Sequence, residues 1–217
     1  EDDRVALHPY DDIGFALRFA PTREPKVVHN RMHPDLTSAS AEDQERTVQR
    51  ALEFGGRYVD VGQGVDATHV VLGDPEGNEF CVIEPGNRFL AGCGFFGALA
   101  CDGSQAVGCF WSEALGWPLV WDQDEETAIR SPRGGPKITW GGPPLASKVG
   151  RNRLRFELAV DDPAADVERL VALGATRLGP VHAGRVQLAD PDGGELSLLA
   201  RCGRRRARPR VSPPARG

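Results

Sequence analysis

The sequence has no run of about 18 apolar residues, and near its start no basic segment precedes an apolar core. Neither a membrane-spanning helix nor a secretory leader is expected, and a cytoplasmic location is the simplest reading. Its five cysteines (Cys81, Cys93, Cys101, Cys109, Cys202) are an odd number with no C-x-x-C pair, and a chain of this length does not need disulfide staples, so most are expected as reduced thiols in or near the core. Gly92-Cys-Gly-Phe-Phe-Gly97 is rich in glycine but lacks the Lys-Ser/Thr and the strand-loop-helix setting of a nucleotide site. A formal net charge of −5 gives no general attraction to nucleic acid or anionic membrane. The exception is the basic stretch Arg204-Arg-Arg-Ala-Arg-Pro-Arg210, within a Pro/Arg-rich tail over 203–217 that is expected to be solvated and disordered.

One stretch occurs twice: Asp74-Pro-Glu-Gly-Asn-Glu-Phe-Cys-Val-Ile-Glu84 and Asp190-Pro-Asp-Gly-Gly-Glu-Leu-Ser-Leu-Leu-Ala200. In each, an apolar run enters an Asp-Pro-acid-Gly turn and an alternating segment leaves it, which is hairpin chemistry. Upstream, Arg50-Ala-Leu-Glu-Phe-Gly-Gly56 and Arg169-Leu-Val-Ala-Leu-Gly-Ala175 read as helix ends stopped by glycine, and Asn30-Arg-Met-His-Pro-Asp-Leu36 matches Asn152-Arg-Leu-Arg-Phe-Glu-Leu158 as a preceding strand. The offset is 122 residues at the asparagines, 119 at Gly55 and Gly174, and 116 at the turn aspartates, so two short deletions separate the copies. The repeated unit is βαβββ.

The pattern predicts one such unit over about 28–84, a diverged one over 95–140 and a third over 151–200, in an α+β fold. Residues 4–9 and 14–20 read as a hairpin, and Pro21 to Lys26 matches Pro143-Pro144 to Lys148. By that match the chain opens in the second half of a unit, as a fragment would. Pairing the units in order gives a first domain over 1–86, a linker over 87–94 and a second domain over 95–202, with the hairpin beside the strands of 28–84.

Paired βαβββ units with a late Asp-Pro-(Glu/Asp)-Gly hairpin resemble the vicinal oxygen chelate superfamily. Arg31-Met-His-Pro-Asp-Leu36, Val70-Val-Leu-Gly-Asp-Pro-Glu-Gly-Asn-Glu-Phe-Cys-Val82 and Phe110-Trp-Ser-Glu-Ala-Leu-Gly-Trp117 look like glyoxalase-like domains of actinobacterial type. The resemblance covers the chain to about residue 201 and implies tandem half-barrel domains of the glyoxalase/bleomycin-resistance kind, each a cup for a ligand or a divalent metal. It allows a homodimer. Metal ligands in that superfamily are a His or Gln in a unit's first strand and a Glu in its last. Those positions here hold His33 and Arg155, and Cys81 and Ser197, so no family-type metal or other cofactor is expected: arginine does not ligate and two carboxylates are missing.

The resulting expectation is metal-independent binding of a small organic molecule, with no nucleic-acid or membrane partner. A glyoxalase-type lyase or isomerase using His33 as base or weak metal ligand, and a scaffold whose cups are filled by side chains, are the alternatives. His33 and Asp35 share a strand face; with Cys81, His33 makes either a Cys-His dyad, a soft-metal pair, or two ordinary buried side chains. Arg155, Glu157 and Ser197 occupy the equivalent face of the last unit, and Trp121 and Trp140 are candidate aromatic walls, although core packing is the commoner use of a strand tryptophan. The only unit pair carrying all eight strands in sequence order is 95–140 with 151–200, so the ligand is expected in that cup.

Overall fold

The computed structural model describes residues 5–10, 13–180 and 184–201. Cys202 and the basic tail lie outside the described residues. The chain opens with a hairpin, β1 (Val5–Leu7) and β2 (Leu17–Phe19). The first complete unit is β3 (Met32–Leu36), α1 (Ala41–Glu53), β4 (Arg57–Tyr58), β5 (Val70–Gly73) and β6 (Glu79–Val82). Ser40 caps α1 by accepting the Asp43 amide at 3.2 Å, and Gly55 at φ +88° turns the chain out of the helix. The second unit is β7 (Phe96–Cys101), α2 (Gln105–Leu115), β8 (Leu119–Gln123), β9 (Glu126–Arg130) and β10 (Lys137–Trp140). The last is β11 (Phe156–Val160), α3 (Pro163–Ala172), β12 (Thr176–Arg177), β13 (Arg185–Ala189) and β14 (Glu195–Ala200), with Asp162 capping α3 and Pro163 at its first position.

Within all three units the first strand lies parallel to the fourth, and the third and second follow antiparallel, so the repeat read from the sequence is structural. The turn aspartates do the same work twice. Asp74 accepts the Glu76 and Asn78 amides at 2.9 and 2.7 Å, and Asp190 accepts those of Asp192 and Gly194 at 3.1 and 2.7 Å. The matched lysines also correspond: Lys26 pairs with buried Glu79, and Lys148 lies 2.9 Å from Glu195.

How the units pair differs from the sequence-order expectation. One eight-stranded sheet runs β4-β5-β6-β3-β7-β10-β9-β8, joining unit 28–84 to unit 95–140, while β11 to β14 form a separate four-stranded sheet. The seam is β3 against β7, antiparallel, from Met32 opposite Cys101 to Leu36 opposite Phe96. Each strand already pairs with its own fourth strand on one side, so the seam satisfies the remaining backbone edge of both. The cup expected between 95–140 and 151–200 is therefore not formed. Nor does the hairpin pair with the strands of 28–84. Among the described residues β1 and β2 pair only with each other, Arg18 lies 3.1 Å from Glu157 of the last unit, and Phe15 packs on Phe96 and Trp117.

The helices pack on the convex faces. Val48 of α1 lies with Leu72 and Val82, while α2 and α3 share one continuous core through Val107, Phe110, Trp111, Val167 and Leu170 with Ile129, Ile138, Trp140, Leu188 and Leu198. Trp111 joins the two sheets: it is 1% exposed, its ring lies 4.6 Å from that of Phe156, and its indole N–H donates to Asp190 Oδ2 at 3.1 Å. Beside it, the Asp192 carboxylate accepts the Ser104 amide at 2.6 Å, capping the start of α2 from the neighbouring unit. No helix among the described residues is long and apolar enough to cross a membrane.

Candidate functional site

Because strand side chains alternate, the residues that do not face the helices face the concave side of the eight-stranded sheet. Register places Val71, Cys81, Asp35, Ala98, Lys137 and Arg130 in one line across it. His33, Ala100, Thr139, Ala128 and Trp121 form the next line. The half from 28–84 thus brings an imidazole, a carboxylate and a thiol to the centre of the cup. The half from 95–140 brings alanines and a threonine near the seam, with Lys137, Arg130 and Trp121 among and beyond them.

His33, Asp35 and Cys81 form one cluster: their donor atoms all lie within 4.8 Å of one another, and His33 Nε2 is 3.4 Å from Asp35 Oδ1. Burial by itself lowers the affinity of His33 for its proton, but hydrogen bonds and charge attraction from Asp35 and Cys81 outweigh it and raise the imidazole to about 10. At neutral pH His33 is therefore an imidazolium, a hydrogen-bond donor and acid. The base role expected for it would require pH near 10 or the removal of those partners. Asp35 Oδ1 is buried with the long 3.4 Å contact to His33 as its ion-pair partner, and Trp121 Nε1 on the other half is buried without a hydrogen-bond partner.

The segment between β6 and β7, expected to be a mere linker, crosses this face. Leu90 is 4% exposed among Val71, Cys81, Ile83 and Ala98, with Phe89 packed against the same group. The Phe89 ring stands edge-on to Trp121 with centroids 5.4 Å apart, and Lys137 Nζ lies 4.7 Å from the Phe89 ring centre while donating to the Phe89 carbonyl. Arg130 donates to the Gly92 carbonyl at 2.6 Å. Small side chains at 98, 100 and 128 leave the room that Phe89 and Leu90 use. Beyond Val71, toward the edge strand, a cleft of about 400 Å³ remains open, lined by Tyr58, Val59, Gln63 and His69.

The remaining expected residues lie elsewhere. Trp140 alternates onto the α2 side, is 2% exposed, and touches only a void of about 20 Å³ at the junction with the last unit, so it is core rather than a ligand wall. Glu157 is taken by Arg185 and Arg18, and Arg155 lies 3.9 Å from Glu195 just before β11 begins, so these groups form ion pairs on the last unit's sheet. Ser197 is buried there between Glu157 and Gln187 in register. Of the expected site residues, the fold brings together His33, Asp35 and Cys81, while Trp121 stands on the edge strand β8 of the same sheet. Lys137, Arg130 and Phe89 went unread. A lone lysine within Pro136 to Trp140, a strand otherwise apolar or uncharged, was the available signal for the first; a linker phenylalanine carries none.

A family model described as a glyoxalase-like domain matches residues 1–83 and 97–199. The break falls at the segment that crosses the cup, so the matched halves follow chain order whereas the sheet joins parts of both. Among solved structures, glyoxalase I from Zea mays is 14% identical with a TM-score of 0.58, covering 85% of this chain and 73% of its own. Its V278E mutant gives 15% identity and a TM-score of 0.53 over the same shares. A glyoxalase-related enzyme from Fulvimarina pelagi is 22% identical over 46% of this chain and 84% of its own, with a TM-score of 0.37. Among curated proteins no relative matches. At these identities the two Zea mays structures speak to the fold alone, a vicinal oxygen chelate arrangement of βαβββ units. With the family match extending over most of its length, the chain belongs to the glyoxalase-like domain family.

Proposed function

We propose that the protein binds a small organic molecule in the cup of the eight-stranded sheet, without a metal, anchoring an acceptor group of the ligand on the His33 imidazolium. The observation that carries this reading is the asymmetry of the cup: the donors His33, Asp35 and Cys81 sit on one half, facing Ala98, Ala100 and Thr139 on the other. The open cleft beside Val71 gives the ligand a way in. The compartment that suits the reading is the cytoplasm, where the free thiols of Cys81, Cys93, Cys101 and Cys109 stay reduced. A native mass spectrum of freshly purified protein should carry a small-molecule adduct. His33→Leu should lose it while keeping its circular dichroism spectrum. Bare polypeptide from every preparation would leave the scaffold reading instead, and an adduct carried equally by both proteins would remove His33 as the anchor.

A second reading, a lyase or isomerase with a divalent cation, has one observation in its favour: the His33, Asp35 and Cys81 donor atoms converge within 4.8 Å of one another. Imidazole, carboxylate and thiolate suit zinc with an open coordination position. The proton on His33 opposes it. With the imidazole held at about 10, proton competition at pH 7 weakens any metal by about a thousandfold. Dialysed protein is expected to carry well under one zinc per chain at pH 7 by elemental analysis. About one tightly held metal ion at that pH would establish the second reading over the first.

A further inference from the structure

The chain's own residues 85–94 cross the cup, Leu90 packing on Val71, Cys81, Ile83 and Ala98 and Phe89 reaching Trp121 and Lys137, and at Phe89 the manner of closure resembles the binding of a ligand. Phe89 contributes an aromatic ring and, through its carbonyl, an acceptor. The ring fits edge-on against Trp121, and the Lys137 ammonium lies near its centre while bonding the carbonyl. Two features show that the slot asks for more than Phe89 supplies. Trp121 Nε1 is buried and donates to nothing, and a buried N–H without an acceptor is destabilising. Lys137 is a buried cation, 8% exposed, with no carboxylate paired to it among the described residues; burial makes its charge costly and lowers its proton affinity, Cys93 opposing the effect and Arg130 adding to it.

The strap is held to the sheet by two side chains and a few bonds, with most of the rest exposed. Gly86, Arg88, Ala91, Gly92 and Gly94 are exposed, and Gly86 and Gly92 take φ of +76°, so the backbone turns at both ends with residues that move freely in φ. Its short turns close on themselves, Ala91 N to Arg88 O and Cys93 N to Leu90 O, rather than on the sheet. Its ties across the cup are side-chain bonds from Lys137 and Arg130, and from Thr37 to Gly94, together with the burial of Leu90 and Phe89.

We propose that the Phe89 slot is a subsite for a planar aromatic carboxylic acid, entered when residues 85–94 swing off the cup. The ligand's ring takes the place of the Phe89 ring against Trp121. Its carboxylate takes the place of the Phe89 carbonyl on Lys137 and accepts the free Trp121 N–H. This rests on the cup being the binding site, and it names the chemistry that half of the cup selects. Strap closure competes with the ligand, so the apparent affinity is the intrinsic one scaled by the fraction of open strap.

The test is calorimetric titration of the full chain with 2-naphthoate. Phe89→Ala is expected to bind at least tenfold more tightly than wild type, and Phe89→Ala combined with Lys137→Met to lose at least that factor. Trp121→Phe on the Phe89→Ala background should weaken binding severalfold with the melting transition preserved. Arg130→Met, which unlatches Gly92 and leaves Phe89 in place, should also tighten binding relative to wild type, and it serves where Phe89→Ala folds poorly. Folded Phe89→Ala and Arg130→Met binding no better than wild type would overturn the proposal, as would tight binding indifferent to Lys137→Met. Such a result alongside an adduct in the native spectrum would remove the subsite and leave the cup as the binding site; tightened naphthoate binding without any native adduct would support the subsite while the His33-anchored reading fails.

Discussion

Trp111→Ala is expected to destabilise the protein by about 4–6 kcal/mol, read as a shift of the urea midpoint. Truncating a fully buried tryptophan costs roughly 3–5 kcal/mol through lost burial and the cavity left behind. Asp190, 7% exposed, would in addition lose the indole N–H that its Oδ2 accepts. The ring also touches Phe110 and Phe156, so the damage falls on both sheets at once. Trp111→Phe keeps most of the volume and loses the hydrogen bond, and about 1–3 kcal/mol is expected there. A loss below 1 kcal/mol for the alanine variant would mean that the last unit does not share a core with α2.

His33 should impose a falling stability on the protein as pH rises. The folded imidazole, raised to about 10 from an ordinary 6.5, binds its proton more tightly than the unfolded one. Its contribution is complete below pH 6.5 and disappears as pH climbs through 10. The full shift would correspond to about 4–5 kcal/mol. With 33% of the side chain open to solvent, screening reduces the expected loss to the order of 2 kcal/mol between pH 6.5 and 10. His33→Gln removes the proton and should flatten that slope. An equally steep fall in the variant would assign the effect to other groups, and a wild type level across this range would mean that Asp35 and Cys81 do not hold the proton on His33.

Substitution at Trp140 belongs with Trp111 rather than with the ligand site, and the comparison explains where sequence reading reached its limit. Period-two alternation places Trp140 with Ile138 on one face of β10 and Lys137 with Thr139 on the other, but only the position of α2 decides which face is the core. The bulge between Leu119 and Trp121 puts Trp121 opposite Ala128 on the concave side. That bulge has no signature in the residues themselves.

The sequence alone determined the βαβββ unit, its three copies, the aspartate-closed turns and the matched lysines, since each depends on contacts within about 60 residues of chain: helix caps, turn chemistry and strand alternation. It also placed His33, Asp35 and Cys81 together, because all three belong to a single unit whose first and fourth strands must pair. Which units meet was decided by tertiary structure. Every first strand has the same free edge, and β3 accepting β7 rather than β11 following suit is settled by side-chain packing across the seam and by the course of residues 85–94, which no local pattern encodes. That choice put Lys137, Trp121 and Phe89 opposite His33 and left Arg155, Glu157 and Ser197 on another sheet, because long-range pairing joins residues by the surfaces they bury and not by their order in the chain.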